Sequence, residues 1–117
     1  MTISRIQNIH VLGRDAAQLA RFWQQALGLT LQFADEDRWI QLKAGDDSFA
    51  IASPGEGVAG QSGAVPVFEV DDLEEHAASI ESCGGRVLER RDMGDHGRVL
   101  TFSDPEGNIA QLFTRSA

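Results

Sequence analysis

The side chains best suited to chemistry are few and scattered: His10, His76 and His96, the carboxylate Glu69, and one thiol, Cys83. An imidazole or carboxylate held inside a pocket can serve as a general base or a metal ligand, and an indole such as Trp39 can stack on a flat molecule. Glu69 lies in the apolar run Val67-Phe68-Glu69-Val70. An inward carboxylate there must be hydrogen-bonded or used, whereas at an open rim beside Asp71 and Asp72 it is simply solvated. His96 sits in the glycine-flanked stretch Gly94-Asp95-His96-Gly97-Arg98, which reads either as a loop closing over a pocket or as an exposed turn. His76 reads as a partly exposed helix residue, and Cys83, before Gly84-Gly85, as a small half-buried one. Motifs that announce a reaction are missing: there is no nucleophile elbow, phosphate loop, Cys-x-x-Cys or His-x-His.

The elements that must position these groups come in duplicate. Asp15 aligns with Asp72, and Gly28 with Gly85, at a shift of 57; further on, Arg38 aligns with Arg98 and Ile51 with Gln111 at a shift of 60. Each half opens with an apolar strand, Ile6 to Leu12 and Val65 to Val70. A helix follows each, started by a capping box, Asp15 with Gln18 and Asp72 with Glu75. Ala16, Leu19, Ala20, Trp23, Ala26 and Leu27 share one helical face, and so do Leu73, Ala77 and Ile80. Three shorter strands complete each half, at about 29–34, 38–43 and 48–53, and about 86–91, 98–103 and 108–114. Residues 54–63, rich in Gly, join the halves. The expected fold is α+β, a single domain over 1–117 made of two tandem βαβββ modules, about 1–53 and about 64–117. They form a cup-shaped mixed sheet with the helices on its outer face.

Composition narrows the partners. A net charge of −8, spread along the chain, argues against nucleic acid, which requires clustered Lys and Arg. It is compatible with a neutral or cationic small molecule. No apolar run approaches the ~20 residues of a membrane span, and the first residues lack a signal-peptide pattern, so no membrane partner and a cytoplasmic location are expected.

Leu19-Ala20-Arg21-Phe22-Trp23 with Ala26-Leu27-Gly28-Leu29, Val67-Phe68-Glu69-Val70-Asp71-Asp72, and the turn Asp104-Pro105-Glu106-Gly107-Asn108 together resemble the vicinal oxygen chelate superfamily. That group includes glyoxalase I, bleomycin-resistance proteins and extradiol dioxygenases. The resemblance spans the whole chain and implies the paired βαβββ fold and a twofold homodimer. It also implies four metal-ligand positions, which fall on Asn8, Ile51, Val65 and Gln111. Aliphatic side chains offer no lone pair and neutral amides are weak donors, so no metal and no other cofactor is expected there. A displaced metal site of His10, Glu69 and His96 is a minor alternative.

Strand alternation gives the cup lining. Asn8, His10 and Leu12 point inward from the first strand, and Val65, Val67 and Glu69 from its counterpart. The last strands contribute Phe49, Ile51, Ile109, Gln111 and Phe113. Trp39 and Gln41 face the same side while Ile40 and Leu42 pack in the core. The expected ligand contacts are therefore Asn8, His10, Trp39, Gln41, Glu69, His96 and Gln111, with no catalytic residue assigned. The leading expectation is a metal-free protein holding an aromatic or cationic organic compound. The alternatives are a metal-dependent lyase, isomerase or dioxygenase, and a metal-free isomerase or lyase using Glu69 or His10 as base.

Overall fold

The computed structural model describes residues 6–56 and 64–115, so the joining stretch 57–63 lies outside the described residues. Module one runs β1 (Ile9–Leu12), α1 (Ala16–Leu27), β2 (Thr30–Asp35), β3 (Trp39–Ala44) and β4 (Asp47–Ala52). Module two runs β5 (Val67–Glu69), α2 (Leu73–Ser82), β6 (Arg86–Asp92), a 3-10 turn (Gly94–His96), β7 (Arg98–Ser103) and β8 (Ile109–Thr114). The strands form two four-stranded mixed sheets, β1-β4-β3-β2 and β5-β8-β7-β6, where one cup-shaped sheet was expected. The β1/β4 and β5/β8 pairs are parallel and the others antiparallel.

Both helices are capped by the expected aspartate, although the Asp15 N–H is taken by Glu106 and not by Gln18 as a full capping box would have it. Asp15 accepts the backbone N–H of Gln18, and Asp72 accepts those of Glu74 and Glu75, satisfying orphan donors of the first turn. The duplication is visible in a shared irregularity: β2 carries a bulge between Leu31 and Phe33, and β6 carries one between Val87 and Glu89. Gly28 and Gly84 both adopt positive φ after their helices, so Gly84 is the true counterpart of Gly28. Gly85 does different work. A Cβ there would lie 2.8 Å from the Ser103 carbonyl oxygen and 3.0 Å from a ring carbon of Phe22, so its absence lets α1 approach module two.

The first strands are shorter than expected. Residues 6–8 precede β1, and Val65 precedes β5, because Pro66 has no N–H to place in the ladder. The Pro66 carbonyl still accepts the Gln111 N–H at 2.9 Å.

A single core joins the modules. Trp23 of α1 is fully buried and touches Phe49 (4.5 Å between centroids), Phe68 (5.8 Å) and Phe102 (5.7 Å), rings from both sheets. Its indole N–H donates to the buried carboxylate of Asp104 at 3.3 Å. Asp104 also accepts the backbone N–H groups of Glu106 and Asn108 and the side-chain amide of Asn108. The same Asn108 amide donates to the Leu12 carbonyl at 3.0 Å. The Glu106 carboxylate accepts the backbone N–H groups of Arg14 (2.7 Å) and Asp15 (3.0 Å). The turn of module two thus ties down the loop that starts α1.

Burial pushes the Asp104 carboxyl above the ordinary aspartate range, while the hydrogen bonds from Asn108, Glu106 and Trp23 pull the other way. With the folded value above the unfolded one, its contribution to stability is complete below the ordinary aspartate range. It declines as pH rises through the raised value. The stability gap between wild type and Asp104→Asn is therefore expected to narrow as pH rises through that interval, measured as melting temperature against pH. Asp104→Ala, which leaves several donors without an acceptor, is expected to cost about 3 kcal/mol in chemical denaturation.

Candidate functional site

The face of each sheet turned away from the helices forms a wall. Register shows which residues belong to it, because directly opposed residues share a face. In module one His10 and Gln41 flank Ala50, and Leu12 and Trp39 flank Ala52. In module two Val67 and Thr101 flank Gln111, and Glu69 and Val99 flank Phe113.

This register corrects the expected lining. Phe49 and Ile51 lie on the helix side, opposite Leu42 and Ile40. They are core residues, 2% and 0% exposed. The strand position that corresponds to Gln111 is Ala50, since His10 opposes Ala50 as Val67 opposes Gln111. The cause is turn length: Gly45-Asp46 connects β3 and β4 in two residues, whereas the Asp104–Asn108 turn is longer by an odd number. One residue of slip moves every later side chain to the other face.

Module one gathers three of the expected contacts into one cluster. The His10 and Trp39 rings lie 5.1 Å apart, tilted by 56°, and approach each other from strands on either side of β4. Alanine at positions 50 and 52 leaves room for this, and both are fully buried under their neighbours. Trp39 Nε1 donates to Gln41 Oε1 at 3.0 Å, and Gln41 Nε2 donates to Gln32 Oε1 at 3.2 Å. Gln32 was not among the expected contacts. The alternation in Leu31-Gln32 already points it away from Leu31, but only the bulge brings Gln32 and Phe33 alongside Gln41 together.

Module two is looser. Gln111 Nε2 donates to Thr101 Oγ1 at 3.0 Å. Glu69 is a rim residue: its side chain is 60% exposed and pairs with Arg115 at 3.4 Å, whose guanidinium lies 5.7 Å from the centre of the Phe113 ring. Its carboxylate is solvated and needs no special role. Asn8 is half-buried just before β1, and His96 is exposed on the 3-10 turn. The sequence therefore grouped seven contacts that the fold divides: His10, Trp39 and Gln41 form a cluster, Asn8 lies just before β1, Glu69 and Gln111 belong to the second wall, and His96 stands apart on its turn.

A cavity of about 980 Å³ lies elsewhere, in the cleft between modules, with Ile9, Phe49, Phe68, His76 and Leu112 among its lining residues. It takes no residue from the Trp39 cluster. It lies along the seam between modules, and its lining mixes helix-side core edges with Val67 and Glu69 of the second wall and with Lys43, Asp46 and Asp71, so it is separate from the Trp39 cluster but not from the module-two wall.

Residues 9–113 match the glyoxalase-like domain family. The chain belongs to that family. No curated protein matches the sequence. Among solved structures it is similar to lactoylglutathione lyase from Agrobacterium tumefaciens, at 16% identity and TM-score 0.74, covering 97% of this chain and 96% of that one. It is also similar to the fosfomycin resistance protein FosX from Mesorhizobium loti, at 22% identity and TM-score 0.76, covering 98% and 95%. A FosX variant from Listeria monocytogenes, solved with Mn(II) and 1S,2S-dihydroxypropylphosphonic acid, gives 15% identity and TM-score 0.79 over 99% and 93%. At these identities the likeness establishes the fold.

The metal that this fold carries in some members does not suit the residues here. The corresponding positions hold the Asn8 amide, the buried Ala50 methyl, the exposed Val65 and the Gln111 amide, already bound to Thr101. Among the described residues no group of three or more His, Cys, Asp or Glu side chains is placed to hold a metal ion, the trio His10, Glu69 and His96 included. A donor set of two neutral amides would lose a divalent ion to water.

If alanine at position 50 is what lets the rings close, a larger residue must part them. Ala50→Leu is expected to cost about 1–3 kcal/mol through overpacking. It should also shift the Trp39 emission to longer wavelength, resolved from buried Trp23 by repeating the measurement in Trp39→Phe.

Proposed function

We propose that this chain is a metal-free small-molecule-binding protein of the glyoxalase and bleomycin-resistance type, holding an organic ligand with an aromatic body against the module-one wall. The observation that carries this reading is the His10–Trp39 pair closed over Ala50. Where a metal ligand would project from β4 there is only a methyl group, covered by two rings. A half-buried indole beside amides, with apolar Leu12 and Phe33 on the same face, has the composition of a small-molecule site: mostly apolar surface with a few directional polar groups.

The neutral amides Gln32, Gln41 and Gln111 orient a ligand but transfer no proton at ordinary pH. Glu69, solvated and paired with Arg115, is poorly placed as a general base, which weighs against a metal-free lyase or isomerase that would use it. A cytoplasmic, homodimeric protein is part of the same reading. The exposed apolar residues Phe33, Val67 and Ile109 on the two walls are surfaces that a second chain would cover. No helix among the described residues is long and apolar enough to cross a membrane.

Thermal denaturation across a panel of flat aromatic compounds, charged and neutral, tests the proposal directly. A compound at 100 times its dissociation constant should stabilise the protein by about 2.7 kcal/mol. Trp39→Ala should weaken that binding about tenfold, the loss expected for one stacking surface. Purification without chelator that returns stoichiometric Mn, Fe, Ni or Zn, with turnover lost on chelation, would replace this reading with the metal-dependent enzyme.

A further inference from the structure

The hydrogen bonds across the module-one wall have a direction that chemistry alone dictates. An indole N–H only donates, so the atom of Gln41 that faces Trp39 at 3.0 Å must be its carbonyl oxygen. The NH2 of Gln41 is thereby turned away from Trp39, and it donates to the carbonyl oxygen of Gln32 at 3.2 Å. Gln32 in turn has its own NH2 left over. That group makes no hydrogen bond among the described residues, and Gln32 is exposed. Reversing either amide would set donor against donor, so the indole N–H fixes the polarity of both. The inner member, Gln41, is 9% exposed and held at both ends, which anchors the relay in the sheet.

Two charged groups on or beside this face are already engaged. Lys43 lies two residues beyond Gln41 in β3 and therefore on the same side of the sheet. Its ammonium donates to the Asp46 backbone carbonyl at 3.1 Å. Asp35, opposite Trp39, is already paired with Arg38 at 3.0 Å. With those charges engaged, the outer amide N–H of Gln32 is the directional donor beside the ring pair.

We infer that Gln32 is the polar recognition residue of this wall and that it selects a flat organic molecule carrying a hydrogen-bond acceptor, a carboxylate or carbonyl oxygen, in preference to an organic cation. The inference rests on the reading of the wall as an organic-ligand site and gives that site its polarity. Overall acidity acts at long range and is screened by salt, whereas an amide N–H in contact decides which end of a ligand faces it.

Three probes with one ring system separate the possibilities: 2-naphthoate, 2-acetylnaphthalene and 2-naphthylmethylammonium. Each is titrated into the intact protein while the Trp39 indole N–H is followed by 1H–15N NMR, with Trp39→Phe identifying the resonance. The acceptor-bearing probes are expected to bind about tenfold or more tightly than the ammonium, the discrimination of one well-made hydrogen bond to a contacting group. In Gln32→Leu the three affinities should converge to within about threefold, because the ring contact stays and the donor goes. Gln32→Glu should invert the order. Gln32 is exposed on an edge strand, so both variants are expected to keep the wild-type melting temperature within a few degrees, which is checked alongside. Equal or tighter binding of the ammonium by the wild type, or an unchanged order in Gln32→Leu, overturns the assignment. Failure of all three probes to bind at millimolar concentration instead removes the reading of the wall as an organic-ligand site, and this assignment with it.

Discussion

A buried carboxylate has to be surrounded by donors or it is too costly to keep, and Asp104 recruits its donors from both modules. Two are backbone N–H groups of its own turn, one is the Asn108 amide, and one is the indole of Trp23, the centre of the common core. Meeting that requirement holds the module-two turn against α1. From there Asn108 reaches the Leu12 carbonyl and Glu106 receives the N–H groups of Arg14 and Asp15. The turn that is most characteristic of the family therefore performs structural work. It sets where α1, and with it the module-one sheet, lies relative to module two.

The duplication makes the other half an internal comparison. In α2 the residue 57 positions after Trp23 is Ile80, which has no side-chain donor to offer, and the β3–β4 turn is only Gly45-Asp46. No hydrogen bond ties that turn to the segment before α2 among the described residues, and the cleft between modules lies along this side, with Asp46, Asp71 and His76 at its edge. One seam of the molecule is closed by a polar network and the other is left open. The same difference in turn length, an odd number of residues, moves Ile51 into the core and Ala50 onto the wall. A shorter turn in one hairpin thus places a methyl group on the wall in place of a larger side chain and makes room for two rings above it.

The chemistry of the wall follows from those rings. Because His10 and Trp39 meet above Ala50, the indole N–H is turned along the sheet toward Gln41, and everything downstream inherits its sense: carbonyl toward tryptophan, amide N–H toward solvent. Aligned hydrogen bonds of this kind reinforce one another, which helps a neutral relay present a firm donor at its outer end. The fold supplies a scaffold shared with the Mn(II)-bound FosX variant, while the side chains on it give the module-one wall a fixed hydrogen-bond polarity.

Much of this was legible from the chain itself. Helix starts at Asp15 and Asp72, the buried face through Trp23, the duplicated element order and the shortage of electron-pair donors are all local or periodic properties, readable from residue type and spacing. The bulge in β2, the side of the sheet that Ile51 faces, the solvated state of Glu69 and the contact of Gln32 with Gln41 could not be read that way. Each depends on how many residues a turn consumes or on which strand lies beside which. With a side-chain period of two, a single residue in a hairpin reverses the answer without leaving a mark in composition or hydropathy.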